Sequence, residues 1–111
     1  MKYMLMFRSV RGTEVDVPPC KDLAAMGTLI GELTQAGILL ATEGLHPSSR
    51  GARVRLAGGN VSVTDGPFTE AKELIAGFAL VEVKSKLEAI ELAKKFLSVA
   101  GEGESEIREV I

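Results

Sequence analysis

Between Leu74 and Val83 the chain runs Leu-Ile-Ala-Gly-Phe-Ala-Leu-Val-Glu-Val, a stretch with a single charge. Side chains on a strand alternate between faces, so this one presents Leu74, Ala76, Phe78 and Leu80 on one side and Ile75, Ala79, Val81 and Val83 on the other. Both sides are apolar, and such a strand belongs at the middle of a sheet that is covered on both faces. The cover has to come from few residues. A chain of 111 residues, 46% hydrophobic and 25% charged, buries roughly 65% of its unfolded surface and builds one core.

The rest of the pattern supplies cover for one face only. Lys2 to Arg8 is apolar between two charges and reads as a buried strand. A loop with Gly12, Pro18 and Pro19 follows. Leu23, Met26, Ile30 and Leu33 then recur at helical spacing, predicting a helix over about residues 20 to 36 with Gly37 at its end. A second strand starts at Ile38 and is stopped by Pro47. Ala52 to Leu56 and Val61 to Thr64, reversed by Gly58-Gly59-Asn60, form a hairpin with one wet face. After the long strand, Ser85 and Glu88 make a capping box for a second helix whose buried stripe is Leu87, Ile90, Ala93 and Leu97. A last strand lies near Glu106 to Ile111. Strand, helix, strand, hairpin, strand, helix, strand is a ferredoxin-like α+β arrangement, β-α-β-β-α-β, with an inserted β-hairpin. Two helices cover one face of its sheet, so the other is expected to be covered by a second copy, and the cavity between the two sheets is the expected ligand site.

Composition excludes several classes. A formal charge of −2 and a pI near 5.4 provide no basic field for nucleic acid. Cys20 is the single cysteine, so no intrachain disulfide forms. The apolar run Tyr3 to Phe7 is shorter than the roughly 7 residues that a signal peptide needs and far short of the roughly 20 of a membrane span. The expectation is a cytoplasmic homodimer without a membrane or nucleic-acid partner.

The block Val63-Thr64-Asp65-Gly66-Pro67-Phe68-Thr69-Glu70-Ala71-Lys72-Glu73, followed by Ile75-Ala76-Gly77-Phe78, strongly resembles the signature of the DGPF branch of the YCII-related proteins. The opening Met1-Lys2-Tyr3-Met4-Leu5 and the stretch Gly44-Leu45-His46-Pro47 fit as well. The resemblance implies a dimeric α/β-barrel of ferredoxin-like subunits, and an association with bacterial sigma factors of the extracytoplasmic type. The wider group carries a histidine and an acidic residue that suggest enzymes; aligned on Gly37, those positions are Met26 and Gln35 here, so that pair is absent.

Candidate chemistry therefore rests on this chain's own residues. His46, the single histidine, and Asp65 both stand at strand ends, and a carboxylate within about 3 Å of an imidazole makes a proton-transfer pair. Each has an ordinary structural explanation too: Asp65 as turn former ahead of Gly66-Pro67, His46 as a polar strand end. Arg53, Glu70 and Phe68 are the candidates for substrate contact. Arg53 shares a hairpin face with Arg55 and suits a carboxylate or phosphate, although such a stripe is commonly the solvated side of a ribbon. Lys72 and Glu73 read as a solvated segment. No zinc-type ligand spacing is present and no cofactor is expected. Gly27 and Gly31, inside the first helix, imply close packing on the sheet. Two functions fit: a cofactor-free enzyme on a small organic acid or lactone, moving a proton with Asp65 and His46, or a non-catalytic dimeric module for a small ligand or protein. The polarity of the cavity discriminates between them.

Overall fold

A computed structural model describes residues 1–8, 22–68 and 75–111. The elements are β1 (Lys2–Arg8), α1 (Leu23–Gln35), β2 (Leu39–Gly44), a single 3-10 turn at Ser48–Arg50, β3 (Ala52–Ala57), β4 (Asn60–Asp65), β5 (Gly77–Glu82), α2 (Lys86–Ala100) and β6 (Glu104–Glu109). This is an α+β fold. Four strands form one sheet in the order β2-β5-β1-β6, every neighbouring pair antiparallel, while β3 and β4 form a separate two-stranded sheet.

Local chemistry sets the element ends. Asp22 caps α1, its carboxylate accepting from the Ala25 amide at 3.0 Å, so the helix begins at Leu23 rather than near residue 20. At the other end Gly37 has φ +74, which lets its own amide reach the Thr34 carbonyl and the Ile38 amide reach Leu33. That paired return closes the helix and turns the chain straight into β2. Ser85 accepts from the Glu88 amide at 3.2 Å; the Glu88 carboxylate reaches back to the Lys84 amide, one residue earlier than the expected box. In β2 the register shifts between Leu39 and Ala41, leaving Leu40 as an extra residue.

The core lies between the sheet and the helices. Tyr3, Leu5, Leu39, Ala79, Val81 and Val83 meet Leu33 of α1 and Ala89, Leu92 and Ala93 of α2. Val81 is fully buried at the centre of β5. The stripe predicted for α2 is displaced around the helix: Leu87 is 67% exposed, and Ala89 and Leu92 take the inner face. Two alanines in that stripe let the helix settle close to the strands, which a stripe headed by Leu87 would not. The close packing expected at Gly27 and Gly31 is also absent; a Cβ at either position would meet nothing within 4 Å.

The opposite face of the sheet carries Met4, Met6, Phe78 and Leu80 in its middle, cross-paired as Met4 with Leu80 and Met6 with Phe78. All four are half-buried, and no other layer among the described residues lies on them. The β5 faces thus follow the predicted division from Ala76 onward. Leu74, at the start of the predicted strand, lies outside the described residues. The hairpin departs from expectation in having two exposed faces. Every residue of β3 and β4 is exposed, and the ribbon shares no extended contact with the main sheet or either helix.

Candidate functional site

The signature turn is built onto the segment that follows β2. Asp65 is the last residue of β4, opposite Ala52 at the hairpin base. From there the Gly66 amide donates to the Gly51 carbonyl at 3.0 Å, and the Phe68 amide donates to the Ser48 hydroxyl at 2.9 Å. Gly66 lies so close to Ser48 that a Cβ would collide with the Ser48 carbonyl, a backbone group that cannot rotate away. The Arg53 guanidinium sits over the Phe68 ring, 4.1 Å from its centroid. Gly66, Pro67 and Phe68 thereby clamp the foot of the ribbon to Ser48–Gly51.

The same neighbourhood contains His46, exposed between β2 and the 3-10 turn. Its Nε2 lies 3.1 Å from Arg50 Nη1. A guanidinium only donates, so in this contact Nε2 is the acceptor. No hydrogen bond or ion pair among the described residues joins His46 to Asp65. Arg53 and Phe68 are brought together, and Arg53 faces away from Asp65, because Asp65 shares the ribbon face of Val61 and Val63. Glu70, Lys72, Glu73 and Cys20 lie outside the described residues.

A concavity that the sequence did not disclose occupies the helix side of the sheet. A cavity of about 380 Å³ lies between the N-terminal half of α1, the C-terminal end of α2 and the strands. Leu5, Phe7, Met26, Ile30, Phe96 and Leu97 supply most of its wall. Among the described residues its polar lining is Thr42, Glu43 and Ser105, and the Thr42 hydroxyl is already engaged, donating to the Phe78 carbonyl at 2.8 Å. Gly103 admits the Phe7 ring at the rim, since a Cβ there would strike that ring. Among the described residues the wall is mostly apolar. The ligand site was expected between two paired sheets; this cavity lies within one chain, on the helix side of its sheet. Its sequence signal is weak: one small residue, Ala79, between the bulky Phe78 and Leu80.

An ionic cluster lies along the β1/β6 margin of the open face. Arg8 reaches Glu106 at 2.7 Å and Glu104 at 3.2 Å, and Arg108 reaches Glu106 at 3.3 Å. The hydrogen bond from Arg8, reinforced by Arg108, holds the Glu106 carboxyl below its ordinary range; reciprocally, Arg8 is held above its own. Glu104 and Glu106 are thus already paired within the chain.

Among the described residues no three of His, Cys, Asp and Glu converge as a metal cluster, and no helix is long and apolar enough to cross a membrane. The YCII-related domain matches residues 1–111. An uncharacterised protein of Rhizobium meliloti (strain 1021) is 35% identical over 81 residues, covering 73% of this chain and 63% of that protein. The matched region thus leaves more than a third of that relative's length unaccounted for. With a family match running from the first residue to the last, the chain belongs to the YCII-related family.

Proposed function

We propose that the chain is a small-molecule-binding module that takes a compact, largely apolar ligand into the cavity between its helices and sheet. The observation that carries this reading is the character of the wall: about 380 Å³, within the range of ligand pockets, bounded by Leu5, Phe7, Met26, Ile30, Phe96 and Leu97, with Thr42 already hydrogen-bonded. A proton-transfer pocket would set a histidine beside the Glu43 carboxylate, and among the described lining residues there is none. Indole titrated into protein labelled at the methionine methyls tests it directly. The Met26 methyl is expected to shift and saturate while Met4 and Met6, on the other face, stay fixed. Met26→Trp, which fills the cavity, is expected to abolish the effect with the fold retained. No saturable shift at millimolar indole, or one that persists in Met26→Trp, would sink the reading.

The module is proposed to work as a homodimer paired across the open sheet face. Support comes from the uncovered Met4, Met6, Phe78 and Leu80, and from the strand order β2-β5-β1-β6, which agrees with a ferredoxin-like subunit of a dimeric α/β-barrel. Membership of the DGPF branch, with its sigma-factor association, is supported by the sequence resemblance at Val63 to Glu73, Ile75 to Phe78, Met1 to Leu5 and Gly44 to Pro47.

A second reading, cofactor-free proton transfer on a small organic acid by Asp65 and His46 with Arg53 holding the anion, has one observation in its favour. The two bonds from Gly66 and Phe68 to Gly51 and Ser48 place the Asp65 turn against the chain that carries His46. Titration of His46 by NMR, with and without Asp65→Asn, decides it. A pKa well above about 6.5 that falls in the variant supports the pair, and a value indifferent to the mutation removes it.

A further inference from the structure

The β3–β4 ribbon is amphipathic, and no described element lies beneath it. Val54 pairs with Val63 and Leu56 with Val61, so all four share one face, and they are 65–71% exposed. Arg53, Arg55, Ser62 and Thr64 occupy the other face. Gly58 at φ +58 and Gly59 at φ +81 make the tight reversal that keeps the two strands in register to the tip. A two-stranded ribbon alone is marginal in water, and four large side chains aligned across it are the usual preparation for a partner surface. Among the described residues the ribbon is tied down at the foot, by Gly66, Phe68 and the Arg53 stack.

We infer that this ribbon is an arm that lies on a second copy of the chain, its Val54, Leu56, Val61 and Val63 face covered by the partner subunit. The inference rests on the sheet-to-sheet pairing proposed above and follows from the area that pairing leaves short. Four strands about 4.8 Å apart and six or seven residues long present a face of about 400 Å² in projection. A stable dimer buries about 800 Å² per partner. One face of the two-stranded arm adds about 200 Å², and each copy both gives an arm and receives one, which brings the total to what a dimer needs. A single twofold axis covers both arms at once, which an unrelated partner would not do.

The test places p-benzoylphenylalanine at Val61, near the arm's tip, and irradiates an equal mixture of light and heavy-isotope chains. Cross-links between light and heavy chains are expected. In sedimentation, Val54→Lys with Val63→Lys is expected to raise the dimer dissociation constant about tenfold or more, with an unchanged far-UV spectrum, because the altered positions touch no part of their own core. Met6→Lys, on the open face, serves as the companion variant. If Met6→Lys dissociates the dimer while the arm variant leaves it intact, or if cross-links form only within one chain, the arm inference fails and the sheet pairing stands. A wild-type chain that sediments as a monomer at micromolar concentration overturns the pairing, and the arm with it.

Discussion

Two leucines on α2, five residues apart, separate the observed packing from the one that the sequence pattern favoured. Leu92 is 6% exposed and Leu87 is 67% exposed. Truncating Leu92 to alanine removes nearly all of a transfer contribution of about 1.5–3 kcal/mol and leaves a cavity between helix and sheet. Ala89 and Ala93, the buried neighbours on the same face, have no flexible side chain with which to fill it, so the expected cost is about 3 kcal/mol. At Leu87 only a third of the side chain is withdrawn from water, worth about 0.5–1 kcal/mol, and alanine's better helix propensity returns a few tenths. Urea unfolding of both variants, followed by far-UV circular dichroism at neutral pH, measures the contrast. The Leu92→Ala midpoint is expected to fall by about 2 M, and the Leu87→Ala midpoint by no more than about 0.5 M. Equal losses, or a larger loss at Leu87, would refute the packing and restore the stripe of Leu87, Ile90, Ala93 and Leu97.

Other outcomes follow from the same geometry. Because the Glu106 carboxyl is held below its ordinary value of 4.5 in the folded chain, its contribution is present above that pH and lost as pH falls through the depressed value. Arg8 remains charged throughout this range, so Glu106→Gln should lower the urea midpoint at pH 7 and become indistinguishable from wild type near pH 2. Gly66→Ala should detach the ribbon foot, costing two hydrogen bonds and the Arg53–Phe68 stack, together about 1.5–3 kcal/mol of local stability. Hydrogen exchange is expected to rise across residues 46–68, with the global midpoint nearly unchanged. Gly31→Ala, in open space inside α1, should stabilise the chain by about 0.5–1 kcal/mol in thermal unfolding.

What the sequence made legible was local. Gly37, Ser85 and the Gly58-Gly59 pair each act within a few residues, and each stands where its turn or cap was expected. The two-faced apolar pattern of β5 likewise reported its central place, since alternation along a strand needs no knowledge of distant partners. The foot of the ribbon was half legible: Asp65-Gly66-Pro67 read as a turn, while its seat on Ser48 came only from the fold. Distance in the chain hid the rest. Arg8 and Glu106 are 98 residues apart, and no local pattern connects them. The choice between neighbouring stripes on α2 was decided by how closely two alanines allow the helix to approach. The helix-side cavity is walled by residues of β1, α1, β2, β5 and α2, a convergence that no periodicity encodes.

The position of β1 has a consequence for how the chain is made. It is the third strand across the sheet, hydrogen-bonded to β5 on one side and β6 on the other, and neither neighbour is translated until about 70 residues after β1. At about 5–20 residues per second, the segment Tyr-Met-Leu-Met-Phe spends roughly 4–14 s outside the ribosome or within its tunnel without either of its native neighbours. A nascent chain halted before Gly77 therefore has no strand to pair with β1, and the sheet assembles only when the last third of the sequence arrives.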